Sequence, residues 1–191
     1  MKKLIFGALL LSAALVTPAA AVTVIGSTNG APTFNRPLAG TPPTLLSGVG
    51  TAVSYTVTAF TVTTSGSYSF LMTGLTPVNW DTYLGLHSTA FNAATPLVNA
   101  IVYNDDFPSI GLSGFTAALT AGTSYFAIAT GFANTDSGRY SLEINGPGTV
   151  VIGGVGQGAV PETSTWGMLI AGFGIVGAAM RRRLRATAAL A

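Results

Sequence analysis

The chain has no cysteine among its 191 residues, and a single histidine, His87. Disulfide stapling, thiol catalysis and thiolate metal sites are therefore excluded. One imidazole cannot build an ordinary zinc centre without thiols to complete it. Charge is also scarce, with 8 Lys and Arg and 6 Asp and Glu making up 7% of the chain. Six of those cations are Lys2, Lys3, Arg181, Arg182, Arg183 and Arg185, all close to the ends. Between Val22 and Val160 only Arg36 and Arg139 stand against Asp81, Asp105, Asp106, Asp136 and Glu143, a net of −3. A basic surface for nucleic acid is thereby excluded. The central region also lacks helical periodicity, which leaves strands and turns to build its core.

What is present begins with an export pattern. Lys2 and Lys3 precede the apolar run Leu4 to Val16, and Thr17-Pro18-Ala19-Ala20-Ala21 follows. That arrangement is a secretory signal peptide over residues 1–21, with Ala19 and Ala21 as the small residues of the cleavage site. Sec translocon and signal peptidase are the partners it implies. At the other end, Trp166 to Met180 runs without a charge and stops at Arg181. Fifteen helical residues span about 22 Å, and a start near Thr163 gives about 27 Å, close to a bilayer core of about 30 Å. A single transmembrane helix at about 164–180 is expected. Its arginines should stay cytoplasmic and the body of the chain should lie on the far side.

The order Val160-Pro161-Glu162, a short spacer, Trp166, a glycine-rich apolar helix containing Gly172-Phe173-Gly174, and the cluster Arg181, Arg182, Arg183 and Arg185 resembles a PEP-CTERM sorting signal. The resemblance covers 160–185, with 186–191 as a tail. It implies that Pro161, Glu162 and Trp166 are recognised by an exosortase, a membrane-embedded protease of Gram-negative bacteria that make exopolysaccharide. Thr163 departs from the family pattern, which has a second proline there. The implied route is an inner-membrane-anchored precursor, then release to the cell surface or the extracellular polysaccharide matrix.

Between these segments lie 22 Thr and 12 Ser. Threonine favours strands and serine favours turns, and both could carry O-linked sugars. Val22 to Ile25 reads as an edge strand, followed by irregular Pro- and Gly-rich chain to Gly50. Val53, Tyr55 and Val57 share one face, whereas Phe60 and Val62 take the opposite phase, which predicts a bulge or bend near Ala59. Tyr68, Phe70 and Met72 alternate next. Further strands are expected at 82–87, 99–103, 114–119, 124–130 and 139–144. The fold class is all-β, an antiparallel jelly-roll-like β-sandwich over 22–145, with a Gly-rich linker at 146–159. Gly66-Ser67-Tyr68-Ser69-Phe70, Trp80-Asp81-Thr82-Tyr83-Leu84, Asn104-Asp105-Asp106, Ala121-Gly122-Thr123-Ser124-Tyr125 and Gly138-Arg139-Tyr140 are similar to bacterial pre-peptidase C-terminal domains. That resemblance implies a jelly-roll-like accessory or binding module.

Few residues carry chemistry. Asp105 and Asp106 at a strand end, with Asp81 from another, could hold Ca²⁺, which takes six to eight oxygens. The alternative is that Asn104, Asp105 and Asp106 cap turns through backbone N–H groups and that Asp81 does the same beside Trp80. Their spacing matches no EF-hand. Trp80, Tyr83, Tyr103 and Phe107 could form a sugar-stacking face, although aromatics of a sandwich are core residues more often, Trp80 above all. His87 is read as a strand-end surface residue. Gly111-Leu112-Ser113-Gly114 fails the nucleophile-elbow pattern at Phe115. Asp81 paired with Asp105 or Asp106 would be the only glycosidase-like couple. Asp136 and Arg139 flank a turn and could pair across it. The leading expectation is a sorted surface protein without an activity of its own. The alternatives are a Ca²⁺- or glycan-binding module and a secreted hydrolase.

Overall fold

The computed structural model describes residues 21–153, and every regular element among them is a β-strand. Of the expected signal peptide at 1–21 only Ala21 is described, and the expected sorting segment at 160–185, with its transmembrane helix, lies outside the described residues. Ten strands follow in order: β1 (Val22–Ser27), β2 (Thr33–Phe34), β3 (Val53–Val62), β4 (Gly66–Thr76), β5 (Thr82–Ser88), β6 (Ala100–Asn104), β7 (Leu112–Leu119), β8 (Tyr125–Gly131), β9 (Arg139–Asn145) and β10 (Val150–Ile152). All pairings are antiparallel. One sheet has the order β1-β9-β4-β7 and the other β10-β3-β8-β5-β6, with β2 also on β3. Setting aside the short β2 and β10, eight strands remain. The first, eighth, third and sixth form one sheet; the second, seventh, fourth and fifth form the other. That interleaving is the jelly-roll order.

Period-two alternation builds the space between the sheets. On β4, Tyr68, Phe70 and Met72 are buried while Ser67 and Ser69 face water. On β9, Tyr140, Leu142 and Ile144 do the same against Arg139 and Glu143. Phe60 of β3 meets Phe70 of β4 across the gap, ring centroids 5.9 Å apart. Each such aromatic contributes about 1.5–3 kcal/mol through burial. Tyr140 and Thr56 join the sheets by a hydroxyl hydrogen bond of 2.7 Å.

The two sheets differ on their outer faces. The four-stranded sheet is largely polar there, as an antiparallel sheet with one wet face should be. The six-stranded sheet is covered on both sides. Its outer face carries a second apolar cluster of Phe34, Val53, Tyr83, Tyr103 and Ile128. The irregular segment 28–52 folds over that face, fastened by the reciprocal bridge Gly40–Tyr103, whose two hydrogen bonds are each 3.0 Å. Phe91, from the β5–β6 connection, packs edge-on against Phe34 and Tyr55. Consequently β5 is buried from Thr82 through His87 without interruption.

This second layer corrects two expectations. No bulge occurs near Ala59: β3 pairs with β8 in unbroken register from Tyr55 to Phe60. The phase change in its sequence records a change of cover, with Val53 and Tyr55 under the outer layer and Phe60 and Val62 in the space between sheets. The expected linker at 146–159 contains β10, where Val150 is buried and pairs with Val62, so the sandwich extends to Ile152.

The seating of the outer layer can be tested at Gly85, because a Cβ there would run into the Tyr103 ring. Gly85→Ala should lower the unfolding free energy by about 1–3 kcal/mol in urea, the usual cost of overpacking. A midpoint equal to wild type would mean that Tyr103 does not lie over this glycine.

Candidate metal site

Strand ends at one pole of the sandwich bring the three aspartates together. Asp81 immediately precedes β5, and Asp105 and Asp106 follow β6. β5 and β6 are antiparallel neighbours with Leu84 opposite Asn104, so the start of one lies beside the end of the other. One carboxylate oxygen from each of Asp81, Asp105 and Asp106 falls within 4.8 Å of the others. Asp106 is exposed, whereas Asp81 and Asp105 are half-buried. An oxygen of Asp81 and an oxygen of Asp105 are shut off from solvent with no hydrogen-bond partner. Of the turn-capping alternative, Asn104 Oδ1 accepts from the Gly114 N–H at 3.4 Å, whereas neither Asp81 Oδ1 nor Asp105 Oδ1 has a donor among the described residues.

The electrostatics carry the mark of this crowding. Burial first, then Asp81 and Asp106, pushes the Asp105 carboxyl up to about 6. Asp81 is also raised, by burial and then by Asp136 and Asp106. The nearest balancing cation is Arg36, from the covering segment, which the sequence reading had not singled out. Its side chain is wholly buried. The guanidinium lies 3.8 Å from the centre of the Tyr83 ring and 4.7 Å from that of Phe132. Arg36 Nε donates to the Phe132 carbonyl at 2.9 Å, and Nη1 donates to the Pro37 carbonyl at 3.1 Å. Among the described residues it makes no ion pair, so it moderates the carboxylates from a distance without neutralising them. The Phe132 N–H in turn donates to the Asp81 carbonyl at 3.1 Å, which ties the arginine's perch to the site. The Tyr83 hydroxyl, buried without a partner, is pushed up to about 12 by burial, with Arg36 opposing.

The other candidates are placed differently. Trp80 is buried as expected, its indole N–H donating to the Arg139 carbonyl at 2.9 Å. Tyr83 and Tyr103 are each 1% exposed, so of the four proposed sugar-stacking aromatics only Phe107 reaches solvent. Ser113 is fully buried in β7, out of reach as a nucleophile. Asp136 accepts from the Ala133 N–H at 2.7 Å instead of pairing with Arg139. His87 is a correction: it is fully buried. The outer layer closes over it, with Phe91 edge-on at 4.9 Å. Its Nδ1 lies 3.1 Å from the Val98 carbonyl, which can only accept, so the proton sits on Nδ1. Nε2 then accepts from the Tyr103 hydroxyl at 2.8 Å. Ala21 opens the described residues, while Ala19, Pro161, Glu162, Trp166, Arg181, Arg182, Arg183 and Arg185 lie outside them.

Comparison with known proteins adds little to this geometry. No family model and no curated protein matches the sequence. Solved structures with some likeness include the pre-peptidase C-terminal domain of collagenase from Bacillus anthracis, at TM-score 0.40 and 13% identity over 66% of this chain and 90% of that one. Another is the CBM35 from Cellvibrio japonicus Abf62, at TM-score 0.36 and 14% identity over 68% and 96%. A third is the K3 cleaved adhesin domain of Lys-gingipain from Porphyromonas gingivalis, at TM-score 0.31 and 15% identity over 68% and 93%. At these scores the likeness carries no argument, and the fold rests on the strand order itself.

Burial lowers His87 to about 4, against the pull of its bond to Val98. Because the fold prefers the neutral ring, the stability this residue contributes is complete above pH 6.5 and declines as pH falls toward 4. The loss amounts to about 3 kcal/mol. Asp105 acts in the opposite sense: the fold disfavours its charged form, so stability is gained as pH falls through about 6. The two are separated by following the His87 ring by NMR, where a midpoint near pH 4 is expected. A midpoint near 6.5 would place the ring in water.

Proposed function

We propose that this chain is an exported, non-catalytic β-sandwich module that binds Ca²⁺ through Asp81, Asp105 and Asp106. It is sorted through its C-terminal segment to the cell surface or the polysaccharide matrix. The observation that carries the metal reading is the convergence of three carboxylates, two of them with a buried oxygen that nothing among the described residues satisfies. Ca²⁺ suits an all-oxygen donor set, with carbonyls and water completing six to eight ligands. Zinc is disfavoured, since His87 is buried away with both nitrogens engaged. The sorting reading is supported by the Pro161–Glu162, Trp166 and arginine pattern, with an exosortase as the processing partner.

A hydrolase is the poorer reading. Ser113 is sealed in the sandwich. One oxygen each of Asp81 and Asp105 is shut off from solvent, which does not suit a water-activating pair of carboxylates.

Thermal melts with calcium and with EDTA test the site. At about a hundredfold excess over Kd the linkage is about 2.7 kcal/mol, which corresponds to a rise of about 10 °C for a domain of this size. Asp105→Asn should abolish that rise, yet melt higher than wild type in EDTA at pH 7, because it removes a carboxylate the fold disfavours. Below pH 6 calcium must displace the Asp105 proton, so affinity should fall about tenfold per pH unit. A melt indifferent to calcium removes the metal reading.

The sorting reading is tested by the intact mass of the protein recovered from membrane and medium. Loss of residues 1–21 and of the C-terminal sorting tail is expected. A full-length C-terminus in every fraction would contradict it.

A further inference from the structure

The chain on either side of the three aspartates also carries exposed large apolar side chains. Val78 is 79% exposed, on the connection from β4 to β5, and Leu75 is 37% exposed, at the end of β4. Ile110 is 60% exposed and Phe107 52%, on the connection from β6 to β7. The two loops are held side by side. Gly74 N–H donates to the Gly111 carbonyl at 2.8 Å, and Gly111, at φ +84°, packs so closely that a Cβ would lie 2.8 Å from the Asn79 Cα. The second loop is fixed by the Phe107 N–H, which donates to the Leu112 carbonyl at 2.7 Å. These apolar side chains therefore project from a braced platform. Exposed apolar groups gathered on one edge usually mark a contact surface.

Resting on the calcium reading above, we propose that this pole docks on an anionic lipid surface. Val78, Ile110, Phe107 and Leu75 would enter the interface while the ion at Asp81, Asp105 and Asp106 bridges to lipid phosphates. The charge pattern argues for this occupant. Residues 75–81 and 105–111 contain no Lys or Arg, and their only charges are the three aspartates. Without the ion an anionic bilayer repels this edge; with it, unsatisfied coordination positions accept phosphate oxygens. The side chains argue in the same direction. Three of the four are aliphatic and suited to acyl chains. Sugar recognition calls for flat aromatic platforms, and Trp80, Tyr83 and Tyr103 are buried.

The test uses residues 22–153, which contain all ten strands and both apolar clusters and so carry a complete core. Excluding the C-terminal apolar segment also removes its own affinity for lipid. Binding is measured by co-sedimentation with vesicles of phosphatidylglycerol and phosphatidylethanolamine, in calcium and in EDTA, beside the melt in calcium. Calcium should raise the bound fraction at least about tenfold. Val78→Ser with Ile110→Ser should cancel that gain and leave the calcium-induced melting shift intact. Calcium that shifts the melt but not vesicle binding overturns the docking and leaves the metal site standing. Vesicle binding that survives the double substitution also overturns it. No melting shift removes the metal reading and this proposal together. Calcium-dependent retention on an acidic polysaccharide, with none on vesicles, would assign the edge to a glycan instead.

Discussion

Three carboxylates forced together at the end of a sandwich, with no cation in contact, are the constraint on which this account depends. Two full negative charges at about 4.8 Å repel by about 3 kcal/mol where the effective dielectric is near 20. Either a proton or a metal ion relieves such a cluster. Asp105, pushed up to about 6 by burial and its neighbours, shows the first at mildly acidic pH. At neutral pH the proposed Ca²⁺ would supply the second, and the buried free oxygens of Asp81 and Asp105 are among those it would engage.

The outer layer is coupled to that cluster. Segment 28–52 leaves β1 and enters β3 at the same pole as the aspartates, and between those points it covers the six-stranded sheet. In doing so it places Arg36 over Tyr83. A buried guanidinium is tolerable only with its donors satisfied, and here backbone carbonyls and two aromatic faces supply that role. Arg36 thus pins the cover through Phe132 and lowers the charge cost of the neighbouring acids without occupying their oxygens. Packing of the cover and electrostatics of the site are in this sense one arrangement.

Much of the architecture was readable from residue patterns. Alternation at Tyr68, Phe70 and Met72 and at Tyr140, Leu142 and Ile144 located central strands, because one face of their sheet is wet. The three aspartates could be picked out as strand-end residues, since adjacent acids share a site only where a strand gives way to a loop. Alternation misled where its premise failed. β5 has no wet face, so His87 looked like a surface residue and is core. β3 looked bulged for the same reason. Val150–Ile152 was hidden by its brevity among glycines. Arg36 had one weak signal, a lone cation in a Pro- and Gly-rich stretch; its partners are distant in sequence, and no local pattern encodes them.

A crystal structure of residues 22–153 grown in calcium tests the central claim most directly. The account predicts an ion coordinated by Asp81, Asp105 and Asp106 at about 2.3–2.6 Å, with the Arg36 guanidinium still stacked on Tyr83. Carboxylates splayed apart into solvent, or drawn onto Arg36 with no ion among them at saturating calcium, would contradict it.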